Sequence, residues 1–219
     1  MDLACLISGP EHAPPLVLLH ALGERATDWD VVAGPLSARR RVYAVDLRGH
    51  GDSAWPGEYS LELMRDDVLA LLDGAGLDAV DLIGHSMGGV VAYLVAAAQP
   101  RRVRTLVLED VPVPRPRPVV APERPDGELE FDWAMVLAVR RQLDDPDQAW
   151  LDGLARITAP TLVIWGGPKS PMSADRVGEL AQRIDGAELV TIDAGHLVHA
   201  TRPADFVAAV AAFLDHPAP

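Results

Sequence analysis

A single serine lies in a glycine-flanked pattern that suits nucleophilic chemistry. The stretch GHSMG (84–88) has the form G-x-S-x-G and lies between a predicted strand and a predicted helix. A serine hydroxyl is a weak nucleophile, so it must be presented to both a base and a substrate, and a sharp strand-to-helix turn does this. The turn also directs the backbone N–H of Met87 towards a developing oxyanion. We predict that Ser86 is a nucleophile for acyl transfer, with a purely structural turn as the alternative.

A histidine near the C-terminus could serve as the base for this serine. His196 follows a predicted strand and a glycine in the stretch LVTIDAGHLVH (189–199). It comes after the serine in chain order and lies at the carboxyl end of a strand, where an open parallel sheet holds its sites. We therefore predict that His196 is the base. His199 either packs locally or lines the site, and we keep it as a candidate for the pocket.

A second oxyanion donor is expected ahead of the serine. The loop HALG (20–23) follows the first long apolar strand, so its backbone could meet the N–H of Met87. Leu22 is the predicted donor. Taken alone, the loop is more typical of an ordinary connection between a strand and a helix.

Short apolar strands alternate with helical patterns along most of the chain. We predict strands at 15–20, 41–47, 79–84, 104–110, 160–166 and 188–192, and helices near 27–38, 60–76, 86–99, 173–184 and 203–214. Strands that are apolar along their whole length and joined by helices indicate a mainly parallel sheet with helices on both faces. The predicted fold class is α/β, in one domain that spans residues 1–219.

The segment 111–155 interrupts this alternation. Its first part, VPVPRPRPVVAPERP, is too rich in proline for a regular helix or a central strand. Two short amphipathic helices are expected after it, at 129–143 and 144–157. A segment of this length is too small for a second core. We predict a small lid over the carboxyl edge of the sheet, with a linker between domains as the alternative.

Several stretches together resemble the α/β-hydrolase superfamily. They are VLLHALG, VYAVDLRGHGDS, GHSMGG, PTLVIWGG and DAGHLVH, and they are spread over nearly the whole chain. The resemblance, to small lidded serine esterases, implies an α/β-hydrolase fold with Ser86 as the nucleophile and His196 as the base. It also implies an oxyanion hole formed by the N–H groups of Leu22 and Met87. The charged turn at 42–53 is expected to be structural.

The acid that would orient the histidine departs from the family pattern. The resemblance leads us to expect an aspartate soon after the strand at 160–166, but Lys169 lies near that place and the next acid is Asp175. A lysine cannot accept the N–H of an imidazole. Some members of the superfamily carry the acid after the preceding strand, which here ends LVLED. We therefore favour Asp110, with Glu109 and Asp175 as the alternatives.

Ala21 is a second departure, because the family usually has glycine at this place. An alanine Cβ resists positive φ angles. We therefore expect the loop after the first long strand to adopt a different conformation and to form a less perfect oxyanion hole.

The composition disfavours several classes of partner. The chain has 19 Lys and Arg against 32 Asp and Glu, a formal net charge of -13, which disfavours nucleic acid and anionic membrane surfaces. Cys5 is the only cysteine, and the longest apolar runs are about half of the ~20 residues that a membrane-spanning helix needs. We predict a cytoplasmic protein that acts on a small molecule. The sequence has no metal-ligand cluster and no dinucleotide fingerprint, so we expect no cofactor and no metal.

The predicted lid offers side chains for a substrate pocket. The candidates are Phe131, Trp133, Met135, Val136 and Leu137, with Trp150 further along the chain, together with His199. These features favour a serine hydrolase that acts on a small or medium apolar ester, thioester or lactone through an acyl-enzyme. Arg115 and Arg117 could instead meet an anionic substrate. The alternatives are another enzyme of the same fold (a lyase, C–C hydrolase, perhydrolase or cyclase) and a ligand-binding protein with little turnover.

Overall fold

The computed structural model describes residues 2–215 of the chain. Within this range the strands form one sheet in the order β1-β3-β2-β4-β5-β6-β7, in which β1 is antiparallel to β3 and all other neighbours are parallel. The strands are β1 (Cys5–Ser8), β2 (Pro15–Leu19), β3 (Arg41–Val45), β4 (Val80–His85), β5 (Val103–Glu109), β6 (Thr161–Trp165) and β7 (Glu188–Thr191). The predicted parallel strands are therefore present.

Helices cover both faces of the sheet, as predicted. They are α1 (Asp30–Ser37), α2 (Leu61–Gly74), α3 (Met87–Ala98), α4 (Trp133–Asp144), α5 (Gln148–Gly153), α6 (Ala174–Arg183), α7 (Val198–Thr201) and α8 (Pro203–Asp215). Successive side chains of the central strand face opposite layers. Leu82 belongs to the layer that contains α2, α3 and α6, whereas Ile83 belongs to the layer that contains α1 and α8.

The two helices of segment 111–155 begin later than the sequence pattern predicts. Asp132 and Asp147 both have extended backbones outside the helices, and their carboxylates accept the N–H groups of Ala134 (2.9 Å) and Ala149 (2.8 Å). An aspartate at this place satisfies an N–H that the first turn leaves without a partner, so each helix starts directly after its cap. The amphipathic pattern extends beyond these caps, which explains the longer prediction.

Side-chain hydrogen bonds attach α4 and α5 to the first turn of α2. The side-chain oxygen of Gln142 accepts the N–H of Leu61 at 2.7 Å. The indole N–H of Trp150 donates to Glu62 at 2.9 Å, and the Gln142 amide donates to the same carboxylate at 2.7 Å. These contacts fix both helices on the layer that contains α3. Of the helices formed by residues 2–215, none combines the length and apolarity needed to cross a bilayer.

The helix α3 approaches the sheet closely because glycines lie at the contact. A Cβ at Gly84 would lie 2.4 Å from the carbonyl oxygen of Gly88, and a Cβ at Gly88 would lie 2.2 Å from the carbonyl oxygen of Leu19. Both obstacles are backbone atoms of neighbouring elements, so neither can move aside cheaply. The glycines on either side of Ser86 therefore serve the packing of the turn.

We expect Gly88→Ala to lower the free energy of unfolding by about 2–3 kcal/mol, because the added methyl group overpacks a backbone contact. The matched control is Gly178→Ala in the middle of α6, where an added Cβ meets no atom within 4 Å. The control should gain about 0.5–1 kcal/mol from the helix preference of alanine. Denaturant unfolding measures both variants, and equal stabilities would contradict the packing argument.

Candidate active site

Ser86 occupies a strained turn between β4 and α3. Its φ is 51° and its ψ is -113°, a conformation that non-glycine residues rarely adopt. The N–H of Ser86 donates to the carbonyl of Glu109 at 2.9 Å, which ties the turn to β5. Strain of this kind costs on the order of 1–3 kcal/mol and persists only where the surrounding structure enforces it. The turn leaves the Ser86 side chain partly exposed at the carboxyl edge of the sheet.

The imidazole of His196 contacts a buried aspartate. Its Nδ1 lies 2.6 Å from Oδ2 of Asp110, which follows β5 and has a φ of 51°. The other carboxylate oxygen accepts the N–H of Gly166 at 2.9 Å. The hydroxyl of Ser170 donates to Oδ2 at 2.5 Å. Asp110 is fully buried, and hydrogen bonds from three directions therefore orient its carboxylate towards His196.

The other two candidate acids do not contact His196. Glu109 accepts the backbone N–H of His199 at 2.8 Å and lies 2.9 Å from its ring Nδ1. Asp175 is exposed in the first turn of α6. Successive side chains of a strand face opposite sides of the sheet, so the neighbours Glu109 and Asp110 contact different histidines.

Ser170 is a site residue that the sequence reasoning missed. It follows Lys169, near the place where the family usually carries its acid, and its hydroxyl also accepts the N–H of Met172 at 2.9 Å. The only sign of Ser170 in the sequence was a polar residue beside Lys169, near the place where the family usually carries its acid. Its function here is to donate to the acid that comes from the preceding strand.

A cavity of about 510 Å³ opens at the carboxyl edge of the sheet. Ser86, His196, Leu22 and Met87 all line it, and its volume suits a small-molecule ligand. Among residues 2–215 we find no protein acceptor for the backbone N–H of Leu22 or of Met87. Both donors are therefore available to an oxygen of a ligand. Further apolar walls are supplied by Val90, Tyr93, Val113, Leu143, Trp150 and Met172.

The predicted pocket residues are largely corrected by the structure, because Trp150 lines this cavity and the other six do not. Val136 is buried in the core, and Leu137 is 45% exposed on the outer side of the same helix. Phe131 packs close to Gly23, and Trp133 packs against the core. His199 is buried and stacks on Trp29, with ring centroids 4.3 Å apart. The C-terminal half of α4, with Arg140 and Leu143, faces the cavity instead.

Ala21 lies in the loop that follows β2. Among the described residues, Ser86 and Asp110 are the non-glycine residues with positive φ, so Ala21 adopts an ordinary conformation. The positive φ of this loop falls on Gly23, at 82°. The N–H of Ala21 donates to the carboxylate of Glu24 at 3.0 Å. Ala21 therefore avoids a positive φ, as a residue with a Cβ does, and its effect on an oxyanion hole stays a prediction.

A buried ion pair connects this loop to the serine turn. Nδ1 of His85 lies 3.2 Å from Glu24, and its Nε2 lies 2.9 Å from the carbonyl oxygen of His196. Burial alone lowers the pKa of His85, but the charge of Glu109 and the hydrogen bond with Glu24 raise it to about 9. Burial opposes ionisation of Glu24, and the hydrogen bond and charge of His85 lower its pKa to about 2. Sequence reasoning overlooked both partners, although His85 lies within the G-x-S-x-G pattern.

His85 also belongs to a possible metal site. Among the described residues, one buried group of side chains has ligand atoms close enough together to hold a metal ion. The group is His85, Glu109 and His199. A doubly protonated His85 donates from both ring nitrogens and has no lone pair for a metal. The donor set therefore fits an internal hydrogen-bond network better than a metal site.

The charged turn at 42–53 holds neighbouring loops together. Asp46 accepts the N–H of Ala26 at 2.6 Å and that of Asp52 at 2.9 Å. Nε2 of His50 accepts the N–H of Gly23 at 3.2 Å, and burial lowers the pKa of this imidazole to about 3. A neutral His50 can therefore support the loop that contains Leu22.

Comparison with known proteins identifies the family. A model described as the Alpha/beta hydrolase family matches residues 16–210. The chain belongs to the α/β hydrolase family. Mouse sn-1-specific diacylglycerol lipase ABHD11 is 28% identical, across 95% of this chain and 83% of its own length. The 3-oxoadipate enol-lactonase 1 of Acinetobacter baylyi is 26% identical, across 97% of this chain and 92% of its own length.

Solved structures give the same result for the fold. The enol-lactonase from Burkholderia xenovorans LB400 has a TM-score of 0.76 and 26% identity, across 97% of this chain and 96% of that chain. A thermophilic esterase from Thermogutta terrifontis has a TM-score of 0.81 at 24% identity, across 97% of this chain and 93% of that chain. The predictions of the α/β-hydrolase fold and of an enzyme of this family are confirmed.

The ion pair of His85 and Glu24 predicts how stability depends on pH. The pKa of His85 is raised from 6.5 to about 9, so the folded state binds its proton more tightly than the unfolded state. This stabilisation is complete below about pH 6.5 and is lost as the pH rises through about 9. Across that window we expect the free energy of unfolding to fall by about 3 kcal/mol more in the wild type than in His85→Gln. Denaturant unfolding at several pH values measures this difference.

The control for this experiment is His12→Gln, because His12 is exposed. That variant should keep the pH dependence of the wild type. If His85→Gln and the wild type lose stability in parallel between these pH values, His85 does not carry the charge that the geometry assigns to it.

Proposed function

We propose that the chain hydrolyses small carboxylic esters or lactones through an acyl-enzyme, with Ser86 as nucleophile, His196 as base and Asp110 as the acid that orients it. The observation that carries the proposal is the 2.6 Å contact between His196 Nδ1 and Asp110 Oδ2, in a histidine that lines the same cavity as Ser86. The strained turn at Ser86 supports the same assignment, because such strain clusters at functional sites.

In the proposed mechanism, Nε2 of His196 takes the proton of the Ser86 hydroxyl as its oxygen attacks the carbonyl carbon of the substrate. The negative charge on the former carbonyl oxygen is stabilised by the N–H groups of Leu22 and Met87. The leaving alcohol takes the proton from His196 as the ester bond breaks. Water then attacks the acyl-enzyme in the same way and releases the acid. Asp110 holds Nδ1–H and stabilises the imidazolium that forms.

The pairing of Glu24 with His85 supports this mechanism. Glu24 lines the cavity near the oxyanion loop, where an unpaired carboxylate would oppose a developing negative charge. The cation of His85 balances the charge of Glu24. The low pKa of Glu24, about 2, also makes it a poor acid and a weak base near neutral pH. A lyase would need an additional acid or base, so this arrangement favours hydrolysis.

The relatives support ester or lactone hydrolysis, since they are named as a diacylglycerol lipase, an enol-lactonase and a putative esterase/lipase. We propose in addition that segment 111–155 is the lid of this single domain, because it supplies Val113, Leu143 and Trp150 to the cavity walls. A cytoplasmic location, and the absence of nucleic-acid and membrane partners, remain predictions that rest on the composition.

Burst kinetics with 4-nitrophenyl acetate and butyrate test the proposed residues. Ser86→Ala should lower kcat by about 10⁴-fold or more, because the nucleophile is lost. Asp110→Asn should lower kcat by about 10⁴-fold, because an amide can hold the imidazole in the wrong tautomer. Asp175→Asn, a substitution of the same kind on the surface, should keep the wild-type rate.

Two further measurements are controls for the kinetics of these variants. Denaturant unfolding must show that Asp110→Asn is folded, and a fluorophosphonate should label the wild type but not Ser86→Ala. Full activity of Ser86→Ala would exclude the serine mechanism. A large loss in Asp175→Asn together with an active Asp110→Asn would exclude Asp110 as the orienting acid. An idle Ser86 that neither reacts nor turns over ester would favour a ligand-binding protein.

A further inference from the structure

Four arginines line the cavity that contains Ser86, in a protein whose formal net charge is -13. Arg115 and Arg117 come from the proline-rich stretch after β5, Arg140 from α4 and Arg176 from α6. Among the described residues, Glu24 is the only acidic side chain that lines the cavity. Since Glu24 is paired with a histidine, the cavity has a local excess of positive charge.

The carboxylates behind these arginines are too few to neutralise them. Asp144 lies 2.6 Å from Nε of Arg117 and 3.7 Å from the nearest guanidinium nitrogen of Arg140. Glu179 accepts hydrogen bonds from Arg115, and it also pairs with Arg183 at 2.9 Å. These two carboxylates are therefore shared by four arginines, and Arg176 is not one of the four.

Arg176 and Arg140 have unused hydrogen-bonding capacity. One terminal nitrogen of Arg176 donates to the carbonyl oxygens of Val113 (3.0 Å) and Arg115 (2.7 Å), and among residues 2–215 we find no carboxylate within ion-pair distance of it. The Nε atoms of Arg140 and Arg176 are buried without a hydrogen-bond partner. Burial, and next the charge of Arg117, lower the pKa of Arg176. An anion in the cavity would relieve the repulsion among these guanidinium groups, whose terminal nitrogens can donate to it.

We propose that these arginines bind a carboxylate or phosphate group that the substrate carries away from the bond that Ser86 attacks. The inference rests on the proposed function and names the substrate class of that site: an anionic ester or lactone. The guanidinium group presents parallel N–H donors that match either anion. The apolar walls at Val90, Tyr93 and Trp150 would contact the chain between the anion and the scissile bond.

The alternative is that the arginines only hold the proline-rich stretch against α4 and α6. The two explanations differ in what they predict for charge selectivity. A purely structural arginine would affect charged and neutral substrates by the same factor. An arginine that binds the anion would affect the charged substrate far more.

The test compares three 4-nitrophenyl esters of similar length: a monoester of hexanedioic acid with a free carboxylate, its neutral terminal amide, and an analogue with a terminal phosphonate. In the wild type, kcat/KM should favour at least one anionic ester over the amide by about tenfold or more. Arg140→Gln and Arg176→Gln should each remove most of this preference, because kcat/KM for the anionic ester falls by up to about tenfold while that for the amide stays the same. The better of the two anionic esters identifies the anion.

The matched control is Arg141→Gln, next to Arg140 on α4 but exposed and outside the cavity lining. It removes the same charge and should leave the preference within about twofold of the wild type, since exposed charges are screened. Equal kcat/KM for the charged and neutral esters in the wild type would overturn the inference while leaving ester hydrolysis intact. An equal loss for all esters in Arg140→Gln and Arg176→Gln would also overturn it.

A binding experiment separates this inference from the proposed function. Calorimetry on Ser86→Ala compares monomethyl hexanedioate with its neutral terminal amide. Tighter binding of the anion, reduced in Ser86→Ala combined with Arg140→Gln or Arg176→Gln, would support the anion site even if no ester were hydrolysed. Equal binding of the two compounds would overturn the anion site.

Discussion

Two adjacent buried carboxylates at the end of β5 constrain the whole carboxyl edge of the sheet. Glu109 and Asp110 are both inaccessible to water, and a buried carboxylate is tolerated only where charges and hydrogen bonds replace its hydration. Glu109 accepts from His199 and faces the cation of His85, whereas Asp110 receives His196. One loop after β7 therefore supplies partners for both carboxylates, and this requirement fixes where the loop lies.

The position of His196 follows from that requirement. Its ring is held by Asp110, and its backbone carbonyl oxygen lies 2.9 Å from the cationic ring of His85. His85 in turn reaches Glu24, which accepts the N–H of Ala21 in the loop that follows β2. Three chain segments that are far apart in sequence are thus connected by short polar contacts in a low-dielectric interior. Such a network fixes the donors before a substrate arrives, which is how oriented dipoles become effective in catalysis.

The strands and most helices could be predicted because their patterns are local. Asp110 was favoured as the partner of His196 because of the resemblance to superfamily members that carry the acid after the preceding strand, and the 2.6 Å contact agrees with that choice. Apart from Trp150, the predicted cavity walls were wrong, because local patterns do not show which helix face meets the cavity. Which face of α4 meets the cavity depends on its hydrogen bonds to α2, and those bonds turn Val136 inward and bring Arg140 to the cavity.

The contrast between an acidic protein and an arginine-lined cavity has a physical explanation. Exposed charges are screened over about 8 Å at physiological ionic strength, so the overall negative charge acts weakly on an anion that has already entered the cavity. Inside, the nearest groups dominate. Asp144 and Glu179 lie behind the arginines and hold them in place while leaving positive charge in excess. The same cavity contains the N–H groups of Leu22 and Met87, so, with Glu24 balanced by His85, its polar groups favour negative charge both on the substrate and on the intermediate that Ser86 would form.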